Sequence, residues 1–300
     1  MGGLLMAASM SLFVTNDSIM SALQKDTNPF GVATMPLPSI IAVRGTLVVV
    51  LLLVLALAMR QPLLPPAAIK NKWNMARAIT EATITFLFLS SLPLLPFAVA
   101  ETIISSNPIF LVFLGIFLFN ERVGWRRWLA IVIGFIGIIC ASLAMDANHE
   151  FNAEKFQWWA VPACLLAAVM VAFRDVFTRY VGEALPPVTV ALSSAIMVMI
   201  YGWVFSLWGW QSPDAQQFAL LFASGLLVMG AYLSAVFAVR LGAFSVVGPL
   251  RFVSLVVAFL IGLFFFKEPF SWLGFTGAVL IVGSALWIVF REAQLNRRTP

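Results

Sequence analysis

The stretch that decides the fold runs from Glu101 to Trp125 and reads ETIISSNPIFLVFLGIFLFNERVGW. It supplies about the twenty apolar residues that a helix needs to cross the hydrocarbon core of a bilayer. Glu101 stands near its start. A carboxylate in such a segment is costly unless it has a partner or faces water, so we consider Glu101 a candidate functional residue.

A second copy of this pattern lies near the C-terminus. The letters FFFKEP at 264–269 end another apolar run, and Trp272 follows them. A spacing of 147 residues separates Glu121 from Glu268, and the same spacing separates Trp125 from Trp272. The chain is therefore predicted to contain two versions of one structural unit.

The composition excludes an ordinary soluble domain. Of the 300 residues, 62% are hydrophobic and 10% are charged, whereas soluble domains are about half apolar and a quarter charged. These few charges could not cover the surface of a soluble core, so the lipid bilayer is the predicted surrounding. The net charge of +5 does not predict nucleic-acid binding, because the basic residues stand at helix ends rather than in one patch.

Apolar runs divided by short polar or proline-rich breaks predict ten transmembrane helices. Their limits are 4–23, 37–59, 73–91, 97–119, 125–143, 156–181, 188–208, 215–240, 245–266 and 271–291. Five spans in each half is an odd number, so the second half enters from the opposite side of the membrane. The predicted fold is an all-α membrane protein with two inverted five-helix repeats, residues 1–145 and 156–292, around a central cavity.

Basic residues at the span ends predict the orientation. With the N-terminus inside, twelve lysines and arginines lie on the cytoplasmic side and three on the other. Cytoplasmic loops carry the excess of basic residues. We therefore predict a multi-pass protein of the cell inner membrane with both termini in the cytoplasm.

Charged residues inside the spans fall into two predicted layers. Asp17, Arg44 and Glu101 form the external layer, and Glu81, Arg174, Asp175 and Arg251 form the cytoplasmic layer. Asp17 and Arg44 share a depth and could pair. Arg77 and Glu81 stand four residues apart on one helix face. For Arg44 and Arg77 we expect structural ion pairs that hold helices together.

For the remaining polar residues both a structural and a functional role stay open. A buried carboxylate could carry a coupling proton or hold a substrate ammonium group, and an arginine could bind a substrate carboxylate. The candidates for substrate binding or coupling are Asn16, Asp17, Glu81, Glu101, Ser105, Asn107, Arg174, Asp175, Tyr232 and Arg251.

Two prolines lie inside predicted spans, Pro108 in the fourth and Pro249 in the ninth. A proline frees a backbone carbonyl and can kink a helix, so both are candidate hinges. The sequence has no phosphate-binding loop, no Ser-His-Asp set and no carboxylate–histidine cluster, so it predicts no enzyme, metal site or cofactor.

These ordered features resemble the EamA branch of the drug/metabolite transporter superfamily. The residues that carry the resemblance are Arg44, the link from Pro93 to Pro96, Ala98 to Pro108, Asn120-Glu121-Arg122 with Trp125, Gly242, Pro249, Lys267-Glu268-Pro269 and Trp272. The resemblance implies a cavity lined by spans one, three, four, six, eight and nine, with spans five and ten at the periphery. Family members export amino acids and other small metabolites, or take up vitamins and cofactors.

The predicted function is secondary transport of a small molecule by alternating access, with amino-acid export the first expectation and a monomer the expected state. Buried acids and arginines would recognise a zwitterion, and apolar walls would accept its side chain. The alternative within transport is uptake of a cofactor- or vitamin-like solute. The alternative from another class is a membrane enzyme or a scaffold.

Overall fold

The computed structural model describes residues 2–26, 29–61, 65–119, 125–143, 159–182, 184–241 and 253–296. These ranges contain twelve α-helices and no β-strand, which confirms the all-α class. The helices are α1 (Gly2–Ala22), α2 (Leu37–Ala58), α3 (Pro66–Lys70), α4 (Lys72–Ser91), α5 (Phe97–Ile104), α6 (Asn107–Phe119), α7 (Trp125–Leu143), α8 (Ala160–Val181), α9 (Pro187–Ser206), α10 (Ala215–Leu241), α11 (Val253–Phe264) and α12 (Trp272–Asn296).

Eight of the ten predicted spans each overlap one long helix of the described chain. The fourth is divided into α5 and α6, and the ninth is described only from residue 253, as α11. By length and composition, four described segments could cross a bilayer on their own. They are Leu37–Ala58, Ala160–Thr178, Pro187–Ser206 and Ala215–Ser234.

Prolines and polar caps set the starts of several helices. Pro36 and Pro186 precede α2 and α9 in extended conformations. Proline suits a helix start because the first N–H groups have no partner within the helix. Asn71 accepts hydrogen bonds from the first-turn N–H groups of α4. Asp214 and Gln217 bond each other's backbone N–H at the start of α10, which is a reciprocal cap.

The long helices pack as antiparallel pairs across the two halves. Helix α1 lies against α10, where Ser9 Oγ donates to the Ala231 carbonyl at 2.7 Å and Ser224 Oγ donates to Asn16 Oδ1 at 2.6 Å. Helix α4 lies against α8, α2 against α9 and α7 against α12. Exchanging the first and second halves converts the α1–α10 contact into the α8–α4 contact and leaves the other two pairings unchanged.

Hydrogen bonds at the helix ends identify two faces of the bundle. Lys25, just after α1, donates to the Leu95 carbonyl just after α4, so α1 and α4 end on the same face, here called the Lys25 face. At the opposite Trp73 face, where α4 starts, Trp73 stacks on Tyr180 near the end of α8. Helix α8 therefore runs antiparallel to both α1 and α4.

The fourth predicted span is a broken helix. Helix α5 ends at Ile104, Ser105 and Ser106 form a turn, and α6 begins at Asn107. Pro108 was expected to kink a continuous helix, but it is the second residue of a new one. Its missing N–H costs nothing there, because first-turn N–H groups lack partners anyway.

Glycines permit a close approach of helices α2 and α9. A Cβ atom placed on Gly202 would lie 2.6 Å from Ala42 Cα, and one on Gly45 would lie 2.8 Å from Met199 Cα. Both contacts are with backbone atoms that cannot rotate away. Small residues at such crossings allow the van der Waals contact that stabilises helix pairs in membranes.

Most of the apolar core lies toward the Lys25 face. Its largest cluster joins α1, α4 and α5, and includes the fully buried Met20, Leu23, Leu92, Phe97 and Ile103. A tightly packed interior resists the entry of solvent and solute from that side. A solute cavity is therefore expected farther from this face.

Candidate functional site

A cavity lies among α2, α4, α9 and α10. Its walls are formed by Arg44, Gly45, Val48, Glu81, Thr85, Ala191, Ser194, Ala195, Val198, Val228 and Tyr232. Half of these side chains are apolar, and the polar half consists of a cation, an anion, a phenol and the hydroxyl groups of Thr85 and Ser194. Sites for small molecules commonly combine apolar walls with a few polar groups that orient the ligand.

The anionic wall of the cavity is fixed by an ion-pair network. Arg174 NH1 lies 3.3 Å from Glu81 Oε2, and Arg174 NH2 lies 3.0 Å from Asp175 Oδ1. The network joins α4 to α8. Two carboxylates share one guanidinium. The three groups together therefore carry a net negative charge at the cavity wall.

Glu81 was expected to pair with Arg77 on its own helix, and this expectation is wrong. Arg77 Nε donates to Thr178 Oγ1 at 2.9 Å, and NH1 donates to Ser194 Oγ. Both hydroxyls belong to neighbouring helices, and a contact across helices competes successfully with an i, i+4 pair worth a few tenths of a kcal/mol. Arg77 thus joins α4 to neighbouring helices through hydroxyl groups, and among the described residues it does not form the ion pair predicted for it.

Arg44 differs from its predicted role. It lines the cavity, and its Nε is buried without a hydrogen-bond partner. Throughout the described ranges no carboxylate lies within 4 Å of its guanidinium, although Asp17, Tyr232 and Glu81 are near enough for electrostatic attraction. A guanidinium without a close partner at a cavity wall is suited to bind an anionic group of a ligand.

A second polar cluster lies between α1 and α5. Asn16 Nδ2 donates to Asp17 Oδ1 at 2.8 Å, and the carboxyl groups of Asp17 and Glu101 lie next to each other. Glu101 is 4% exposed, and its Oε1 has no partner. The predicted external layer thus contains an acid pair, and Arg44, which lines the cavity, is near enough to Asp17 for electrostatic attraction.

The remaining candidates have separate positions. Ser105 and Asn107 flank the break between α5 and α6, where Asn107 Nδ2 donates to the Ile104 carbonyl at 3.0 Å. Tyr232 lines the cavity and packs edge-on against Phe13. Arg251 and Pro249 lie outside the described residues. The roles of Pro108 and Pro249 as hinges stay predictions.

Glu268 makes a contact that its place in the repeat did not reveal. Its carboxylate accepts the backbone N–H groups of Phe97 and Ala98 at the start of α5. Lys25 Nζ lies 3.8 Å from the same carboxylate and above the Phe266 ring. A carboxylate at a helix N-terminus satisfies unpaired N–H groups and the helix dipole. These contacts join α1, α5 and α11 at the Lys25 face.

Sequence reasoning missed Arg44 as a cavity residue and Glu268 as a helix cap. Helix α2 is apolar around its whole circumference, so periodicity cannot indicate which side of it faces the interior. The contact of Glu268 with Phe97 spans 171 residues, and no local pattern indicates such a contact.

Comparisons with known proteins place the chain in a family. The model of the EamA-like transporter family matches residues 1–143 and again 158–290. S-adenosylmethionine uptake transporters are 29% identical over 69% of the chain in Rickettsia conorii (strain ATCC VR-613 / Malish 7) and 27% identical over 69% in Rickettsia felis (strain ATCC VR-1525 / URRWXCal2), covering 68% of each relative.

A solved crystal structure shares the fold. It aligns over 98% of this chain and 98% of its own with a TM-score of 0.62 at 16% identity. The apolar helices, the cavity with charged side chains on its walls and the two matches to one transporter model all indicate a membrane transporter. The chain belongs to the EamA-like transporter family and is a multi-pass membrane protein of a family that transports small molecules.

Proposed function

We propose that the protein is a secondary transporter that takes up a zwitterionic, cofactor-like metabolite of the S-adenosylmethionine type by alternating access. The observation that carries the proposal is the placement of Arg44 and Glu81 on the walls of one cavity. An amino-acid moiety needs both a cation for its carboxylate and an anion for its ammonium group.

S-adenosylmethionine also carries a sulfonium cation and an adenosine group. Glu81 and Tyr232, both on the cavity wall, offer a negative charge and an aromatic face to an onium group. Val48, Val198 and Val228 provide apolar surface for a ring. This combination, with the names of the Rickettsia relatives, favours a cofactor-like solute over the amino-acid exporter expected first.

Two features support the proposed architecture of ten spans in two inverted repeats. The family model matches the chain twice, with boundaries close to the predicted repeats. The α1–α10 and α4–α8 contacts exchange with each other when the halves are exchanged. We propose that the Trp73 face is cytoplasmic in the inner membrane, since the basic loops belong to that side, and that both termini lie there.

The proposal is tested by counterflow. Liposomes containing the full chain are loaded with unlabelled S-adenosylmethionine, and entry of the labelled compound is followed. S-adenosylmethionine, S-adenosylhomocysteine, methionine, other amino acids and nucleosides are compared as competitors, with protein-free liposomes as the control. We expect S-adenosylmethionine to compete at the lowest concentration, because it alone combines the zwitterion with a sulfonium charge.

Amino-acid transport is the competing outcome. It would be supported if methionine or another amino acid competed as well as S-adenosylmethionine. Direction is tested in cells that express the chain, which are expected to accumulate labelled compound from the medium. Faster loss of preloaded compound, without accumulation, would contradict uptake.

A further inference from the structure

The acid pair of Asp17 and Glu101 is not explained by a structural role. Asn16 is held by Ser224 and donates to Asp17, so one carboxyl group is positioned by neutral partners. Glu101 is buried, and its Oε1 lacks a partner. A buried polar atom left without a partner is unfavourable, and in native structures it often marks a place where something binds.

Two carboxyl groups can share a hydrogen bond only if one of them carries a proton, because two carboxylates are both acceptors and repel each other. Within the described spans, the positive charge nearest to the pair is that of Arg44. If both acids were ionised, the group of three would carry a net negative charge in an apolar surrounding. One proton on the pair makes the group neutral.

The neighbouring helices offer few other titratable groups to the pair. Helix α2 contributes Arg44, and α8 contributes the Cys164 thiol. Helix α10 places Ser224 against Asn16 and Tyr232 near Arg44. Helix α4 contributes Glu81, which also attracts Arg44. The sequence of α11 contains no charged residue.

We propose that Asp17 and Glu101 form a proton-binding site coupled through Arg44 to the substrate cavity, so that the solute and a proton cross the membrane together. The coupling rests on the proposed function. A substrate carboxylate bound to Arg44 neutralises the charge that balances the acid pair. The pair then binds a further proton more tightly, so substrate and proton favour each other's binding.

The proton site is tested without substrate, by infrared spectroscopy of the purified full-length protein near neutral pH. We expect a carbonyl band from a protonated carboxyl group in the wild type. Glu101→Gln and Asp17→Asn should each abolish it, because the remaining acid is then balanced by Arg44 and ionises. Asp214→Asn, which changes an acid at the start of α10 and keeps a good capping residue, should leave the band unchanged.

The absence of the band from the wild type would overturn the proton site, as would its persistence in both variants. Two variants are used so that one that fails to fold does not remove the test.

The coupling is tested in liposomes with labelled S-adenosylmethionine and a membrane potential clamped by potassium and valinomycin. An inward proton gradient of one pH unit is expected to raise accumulation by up to about tenfold for one proton. Glu101→Gln should lose this response, and Asp214→Asn should keep both counterflow and the response. Wild-type counterflow with no response to the gradient would overturn coupling and leave the proposed function standing. Without any counterflow the proposed function fails, and the infrared result alone decides the proton site.

Discussion

Arg174 reaches across from α8 to lie 3.3 Å from the Glu81 carboxylate on α4. In the equivalent helix pair, Asn16 on α1 bonds Ser224 on α10. The first helix of each proposed repeat thus contacts the third helix of the other through polar side chains. The α4–α8 pair therefore carries an ion pair at the cavity wall, and the equivalent α1–α10 pair carries a hydrogen bond between neutral groups beside the acid pair.

Removing either member of the Arg174–Glu81 pair is expected to have unequal effects on stability. Glu81→Gln leaves Arg174 with Asp175, so we expect a loss of about 1–2 kcal/mol. Arg174→Gln leaves two neighbouring carboxylates without their counter-ion, and the expected loss is about 3–5 kcal/mol. Thermal unfolding in detergent measures both. Equal shifts in the two variants would contradict the proposal that Arg174 is shared.

Arg44→Gln tests the role of the guanidinium in binding. A hydrogen bond to a charged group contributes about 1.5–3 kcal/mol, so affinity for S-adenosylmethionine should fall by about 10- to 150-fold. Affinity for its decarboxylated analogue should change much less. Arg60→Gln, at an exposed position after α2, is the matched control. Equal losses for both ligands would show that Arg44 does not bind the carboxylate.

We expect the ionisation of Lys25 to make the free energy of unfolding depend on pH in the alkaline range. Burial lowers the pKa of Lys25 below its ordinary value of 10.5, and Glu268 opposes this shift. The unfolded chain therefore binds this proton more tightly than the folded one. Between the lowered pKa and 10.5, the contribution of Lys25 to the free energy of unfolding rises with pH.

Unfolding measured across that range in the wild type and in Lys25→Met checks this prediction. The variant keeps an aliphatic chain over Phe266 and should lack the rise. The prediction fails if both proteins show the same dependence on pH.

Gly202→Ala should separate α2 from α9. The added methyl group would lie 2.6 Å from Ala42 Cα, and overpacking of this kind costs about 1–3 kcal/mol. Gly283→Ala is the matched control, because nothing lies within 4 Å of a Cβ placed there, and it should leave stability unchanged or raise it slightly. Thermal unfolding compares the two variants. A tolerated Gly202→Ala would mean that the two helices can shift apart.

The helices were predictable because long apolar runs between prolines have few other solutions in a membrane. The break in the fourth span was visible as Ser105, Ser106 and Asn107, but its form was not. A continuous kinked helix and two short helices have the same composition. The turn at Ser105 and Ser106 distinguishes them in the structure, and there Asn107 Nδ2 donates to the Ile104 carbonyl at the end of α5.

The candidate site was predictable in its residue types and less so in its pairings. Glu81, Arg174 and Asp175 meet as their predicted common depth suggested. Depth alone gives no rotation about the helix axis, so it paired Arg44 with Asp17, and the i, i+4 spacing on one helix paired Arg77 with Glu81 without regard to neighbouring helices. Neighbouring helices supplied Thr178 and Ser194 to Arg77 instead.

The interruption between α5 and α6 divides one predicted membrane span into two helices. Helix α5 is held at its start by Glu268, and both α5 and α6 pack on α8. We expect the two helices to tilt separately about the turn, so that the two ends of the solute path open in turn, as the proposed alternating access requires. A rigid rod of the same length would have to swing both ends at once.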